Sequence, residues 1–241
     1  MINDSVTAII VSYRRKDNIP IIIDRVKKQT HKVNRIIVFH NNGVLELKNN
    51  DIDIINCSSN MYIYGAFSIA YLIKTDYIWF LDDDYPPGPE WLEYCLKKQN
   101  KYPGIYVGRG VIMIHNNKYI PNKHFESGLG NKMVRADLGG GSIIMPRKAI
   151  HSLLKEQPPS FEAGTDIFLG YSTQKYGGYK LYVPFPEREE QLPLYKKENI
   201  PQKDDGQAMW QRNKHWIIKY GMVRWAVKNG WKLLNFSEEN K

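Results

Sequence analysis

The sequence predicts an open α/β fold: a mainly parallel sheet flanked by helices, followed by a smaller mixed region. Three observations predict it. Short apolar segments rich in β-branched residues recur along the first half of the chain, segments of helical spacing separate them, and polar or acidic clusters follow directly on their ends. Strands alternating with helices imply crossover connections, hence a parallel sheet.

Val6 to Tyr13 (VTAIIVSY) is an almost continuous apolar run of strand length, as expected of a strand covered on both faces. Ile19, Ile22, Ile23 and Val26 recur at i, i+3, i+4 and i+7, which predicts an amphipathic helix with Pro20 near its start. Arg35 to Phe39 is a second strand, closed by the turn signal His40-Asn41-Asn42-Gly43, and Asp51 to Asn56 is a third. A helix is expected over Gly65 to Lys74, then a fourth strand, Tyr77 to Leu81, running straight into Asp82-Asp83-Asp84.

The second half is less regular. Pro89 to Lys101 reads as a helix and Gly104 to Ile114 as a strand, with residues 115–138 as an irregular excursion. Gly139-Gly140-Gly141 reads as a tight turn before a short strand, Ser142 to Met145, and a helix bearing Ala149, Ile150, Leu153 and Leu154. Thr165 to Tyr176 is a helix and Tyr179 to Val183 a strand. The proline-rich, charged segment 184–206 reads as a long mobile loop, and the basic, tryptophan-rich stretch from Ala208 to Phe236 as helical. The divisions expected are 1–101, 102–207 and 208–241.

With 241 residues, 42% of them hydrophobic, the chain can fill one sizeable core. Its formal net charge of +9 favours anionic partners. Nucleic acid is not expected, because no zinc-ligand spacing, basic heptad region or RNA-binding motif is present. Cys57 and Cys95 read as free thiols, which suits a reducing compartment. No leader and no apolar run of spanning length is evident, so a cytoplasmic protein is expected.

The chemistry concentrates in YIWFLDDDYPPGPEWL. Adjacent carboxylates repel one another, and a hard divalent cation, Mn²⁺ or Mg²⁺, relieves that repulsion while accepting substrate phosphate oxygens. In parallel sheets, ligands bind beyond the carboxyl ends of the strands. Ser12-Tyr13-Arg14, His40-Asn41-Asn42 and Asp82-Asp83-Asp84 are therefore expected to meet in one crevice.

These segments resemble family 2 glycosyltransferases, which have the GT-A fold. The resemblance spans roughly Val6 to Val183 and is carried by VTAIIVSYRR, RIIVFHNNG, YIWFLDDDYPPGPEWL and GGGSIIMPRKAI followed by GTDIFLGYSTQKYGG. It implies that residues 1–101 hold a nucleoside-diphosphate sugar, most simply a UDP-sugar, and that 102–207 serve a glycan or lipid-linked acceptor. Ser12, Tyr13 and Arg14 would contact base and ribose, with Asn41 where the family usually has an acidic residue and Asn42 beside it. Asp82 and Asp83 would face ribose and sugar, and Asp84, with Asp82, would hold the metal.

Asp166 matches the family's general base in an inverting reaction, although Thr165 stands where an acidic residue usually precedes it and Glu162 is the nearest substitute. Without the resemblance, Asp166 is explained by its place in a helix first turn, where an acid stabilises the dipole by ~0.3–1 kcal/mol. His215 lies in the C-terminal region, where the resemblance allows an extra metal ligand, but it reads more simply as a solvent-facing helix residue. Residues 215–236 read as a helix closing the domain, or as a peripheral contact with a membrane interface.

Three other readings stay open. RIIVFHNNG and the acidic triplet also resemble the exostosin-like glycosyltransferases, which retain configuration. A non-catalytic nucleotide-sugar or glycan-binding module would bind without turnover. A nucleotidyltransferase would need a second acidic cluster.

Overall fold

The computed structural model describes residues 4–47, 51–114, 116, 121–196, 199–201 and 213–236. The first strand, β1 (Val6–Ser12), feeds a 3₁₀ turn and α1 (Ile19–Lys27), then β2 (Arg35–His40), β3 (Asp53–Asn56), α2 (Tyr62–Ala70) and β4 (Tyr77–Asp82). These four strands run parallel in the order β3-β2-β1-β4. Side chains alternate between two cores. Ile9, Ile37 and Phe80 face α2, while Ala8, Ile10, Val38, Trp79 and Leu81 face α1 and the helix Trp91–Gln99. That double burial explains the unbroken apolar runs, each large buried side chain contributing roughly 1.5–3 kcal/mol.

The chain continues through α3 (Trp91–Gln99), β5 (Ile105–Met113), β6 (Pro121–Glu126), β7 (Met133–Ala136), β8 (Leu138–Pro146), α4 (Arg147–Leu153), α5 (Thr165–Gly177), β9 (Leu181–Pro184) and α6 (Asn213–Lys228). The sheet extends as β4-β8-β5-β9-β7, with β6 on β5. β8 is antiparallel to both β4 and β5, so the added half is mixed. The irregular excursion expected over 115–138 instead contains β6 and β7.

Gly139-Gly140-Gly141 is not a turn; it lies inside β8, with Gly139 opposite Gly110 and Gly140 opposite Arg109. Gly141 has φ +82°, and a Cβ there would come within 2.7 Å of the Tyr85 ring. Glycine is required because the strand must bend around a buried aromatic. α2 begins before the expected Gly65, because the Asn41 side chain accepts from the Met61 amide at 2.8 Å and fixes its first turn.

The segment expected as a mobile loop is bonded along its described part. Gly88 N donates to Leu192 O, Glu90 N to Glu190 O and Tyr195 N to Pro86 O, while Arg188 pairs with Glu90. Buried Gln29 holds the same proline turn, donating to Gly88 O at 2.6 Å and accepting from Leu92 N at 3.0 Å. Part of the helical stretch expected from Ala208, residues 208–212, lies outside the described residues. Cys57 and Cys95 are both free. Among the described residues no helix is long and apolar enough to cross a membrane.

Candidate active site

Parallel register sets the strand ends level. Ser12 lies opposite His40, and Val11 opposite Asp82. The three polar clusters therefore converge on one edge of the sheet. They do not contribute equally. Ser12 and His40 are fully buried, joined Oγ to Nδ1 at 2.9 Å, and form the floor. Burial, then the charge of Lys16, lowers the His40 pKa, so its ring is neutral at pH 7. Asn41 is also buried, its amide oxygen occupied by Met61 N. What stands open is Tyr13, half-buried, with the exposed Arg14 guanidinium 5.1 Å from its ring centre, and exposed Asn42 at φ 64°.

The acidic triplet divides in two. Asp83 is bonded to the loop after β1. Its oxygens accept from Tyr13 N at 3.0 Å and Arg15 Nη1 at 2.8 Å, and Asn18 Nδ2 donates to its carbonyl at 2.9 Å. Asp82, the last residue of β4, and Asp84, in the turn that follows, are the partly exposed members. Their side chains are 35% and 28% exposed, with Arg109 3.8 Å from Asp82 and Arg15 3.4 Å from Asp84. Burial, then the charge of Asp84, pushes the Asp82 pKa up to about 7.

Arg109 and Arg15 offset part of this pair's negative charge. Among the described residues no three His, Cys, Asp or Glu side chains form a metal cage. These two carboxylates, Asp82 with its proton affinity raised, nevertheless fit a hard cation that draws its other ligands from water and phosphate.

Asp166 stands in the first turn of α5 and is met from α6. Lys219 Nζ donates to its Oδ2 at 2.7 Å, and Ile167 N to its Oδ1 at 3.1 Å. Burial alone would raise the Asp166 pKa; the Lys219 ammonium and these bonds carry it below the ordinary carboxylate value. Gly164 makes the meeting possible. Its φ is +79°, and a Cβ would lie 2.2 Å from Met222 Sδ of α6. His215, one turn before Lys219, is buried rather than solvent-facing, and neither ring nitrogen has a hydrogen-bond partner among the described residues.

Sequence reasoning missed Arg15, Arg109 and Lys219. Arg109 feels the charges of Asp82, Asp84 and Asp166, so β5 places it between the two acidic centres. A signal for Lys219 was available: with His215, Met222 and Ala226 it forms one helical stripe, and two of those four are plainly apolar.

A family model described as Glycosyl transferase family 2 matches residues 7–153, about three-fifths of the chain. The match runs from β1 through α4 and includes the acidic triplet, but ends before Asp166. No curated protein matches the sequence. Among solved structures, the chain is similar to the crystal structure of S. aureus TarS, with a TM-score of 0.52 and 10% identity over 77% of this chain and 37% of that one. At that identity the likeness concerns fold alone, and the chain spans well under half of that protein.

Proposed function

The chain belongs to glycosyl transferase family 2, and from that premise we propose that it moves a sugar from a nucleoside diphosphate, UDP in the simplest case, to a hydroxyl of a glycan or lipid-linked acceptor. The observation that carries the reading is the level alignment of the ends of β1, β2 and β4, which leaves Tyr13, Arg14, Asp82 and Asp84 open on one edge.

In this reading Tyr13 stacks on the base, and Arg14 pairs with the donor's negative charge. Asp83 holds the loop that carries them, through the Tyr13 amide and Arg15. Asp82 and Asp84 would hold Mn²⁺ or Mg²⁺. Bound there, the cation supplies Lewis-acid charge to the departing diphosphate. Asp166 takes the proton from the acceptor hydroxyl, an assistance typically worth 10²–10⁴-fold. Attack from the face opposite the leaving group inverts the anomeric centre. Arg109, exposed between the acidic centres, is suited to counter charge as the glycosidic bond opens.

A hydrolysis screen of UDP-, GDP- and dTDP-sugars with and without Mn²⁺ tests the reading. Cleavage of one donor, abolished by EDTA, is expected. Metal-independent binding of every donor without turnover would identify a binding module instead, and a retained anomeric configuration would remove the base role of Asp166.

A further inference from the structure

We propose that the outer face of α6 docks on an anionic membrane surface. The inference does not rest on the transferase reading. Its inner stripe, His215, Lys219, Met222 and Ala226, is buried against the domain. The opposite stripe, Ile217, Tyr220, Arg224 and Lys228, is exposed, its members three or four residues apart and so on one side of the helix. Ile217 is 71% exposed, Tyr220 38% and the neighbouring Trp216 37%. Helices that only close a domain keep such residues inward, as Trp225 does here against Phe168 and Tyr171.

Charge selects the partner. From Gly206 to Ser237 the sequence holds no Asp or Glu, while Arg212, Lys214, Lys219, Arg224, Lys228 and Lys232 are cationic. Lys219 is buried against Asp166, and Arg224, Lys228 and Lys232 lie at the surface. The aromatic and aliphatic residues lie toward the N-terminal half of the stripe and the cations toward its C-terminal half. That order suits a helix tilted so that its N-terminal half dips into the interface, with Trp216, Ile217 and Tyr220 at the acyl-chain boundary and the cations at anionic headgroups. A soluble polyanion would use the cations but has no need of Ile217.

The test is co-sedimentation of the full chain with phosphatidylcholine vesicles, with and without phosphatidylglycerol. Binding is expected only to the phosphatidylglycerol vesicles, weakening with salt. Ile217→Ser removes a side chain that is almost wholly in water, so it leaves folding intact; it should lower the bound fraction about fivefold, and Arg224→Glu with Lys228→Glu about tenfold or more. Leu72→Ser, at another exposed apolar position, should change nothing. The proposal is overturned if the protein ignores both vesicles, binds both equally, or binds as well after Ile217→Ser. It is also overturned if the stripe proves to be the interface of a dimer that Ile217→Ser dissociates.

Discussion

Lys219 of α6 places its ammonium 2.7 Å from Oδ2 of Asp166, at the start of α5. The two residues are 53 positions apart in sequence. Both side chains are largely shielded, at 11% and 25% exposure. Removing one partner of so buried a pair typically costs about 3 kcal/mol, most of it from stranding the other charge.

The first prediction concerns this pair. Asp166→Ala should leave donor binding near wild type and lower kcat by about 10²–10⁴-fold, measured by titration and initial rates. Lys219→Met should lower turnover about tenfold at neutral pH and move the acid limb of the kcat profile to higher pH. The sign follows from the causes: burial raises the Asp166 pKa, and the ammonium that now holds it low is gone. Lys219→Arg should restore most of the wild-type profile. Unchanged limbs in all three proteins would show that Asp166 does not govern turnover.

The second concerns the crevice carboxylates. Asp84→Ala and Asp82→Asn should each abolish Mn²⁺-dependent donor binding, while leaving the melting temperature within a few degrees or raising it, since like charge is relieved. Asp83→Ala should behave differently, lowering stability by roughly 1–3 kcal/mol, because it releases the Tyr13 amide and Arg15 together. Calorimetry with and without the metal separates the two outcomes.

The third concerns Gly164. Substitution by Ala meets both the left-handed φ of +79° and Met222 Sδ. A loss of roughly 2 kcal/mol is expected by denaturant unfolding. Because the displaced element is α6, turnover should fall further than donor affinity. Equal losses in both would mean that the whole sheet edge had moved.

The fourth concerns pH. Asp137 is buried between β7 and β8, accepting from Met113 N and Leu234 N, each at 2.8 Å, and burial pushes its pKa up to about 6. An acid with a raised pKa binds its proton more tightly when folded. Its share of stability is therefore largest near pH 4 and is lost as pH rises to 6, up to about 3 kcal/mol in all. Asp137→Asn should flatten that part of the stability curve in denaturant titrations from pH 4 to 7.

The parallel half was legible because each of its main strands is covered on both faces and so reads as a plain apolar run. β6 and β7 were not legible: PNKHFE and MVRA carry no apolar continuity, and pairing with β5 and β9 rather than their own composition makes them strands. Gly139 to Gly141 misled for the same reason, since triple glycine signals a turn locally while its place in β8 is set by Tyr85 and β5. Asp82, Asp84 and Asp166 were legible as acids at element ends. Their partners Arg109 and Lys219 were not, since each arrives from an element distant in sequence. Nor did the triplet reveal that its middle member is taken up by the Tyr13 amide and by Arg15, which also reaches Asp84.

The pairing of β4 with β8 has a consequence for how the protein is made. Of the two strands that flank β4, β1 precedes it in the chain, while β8 is synthesised only after α3, β5, β6 and β7. At ordinary elongation rates that interval is on the order of seconds. During it, an apolar strand ending in the acidic triplet presents an open hydrogen-bonding edge to any other nascent chain. The charged tip, proposed above to hold the ligand, would meanwhile deter like edges from joining, so the same carboxylates would guard the half-made sheet against association.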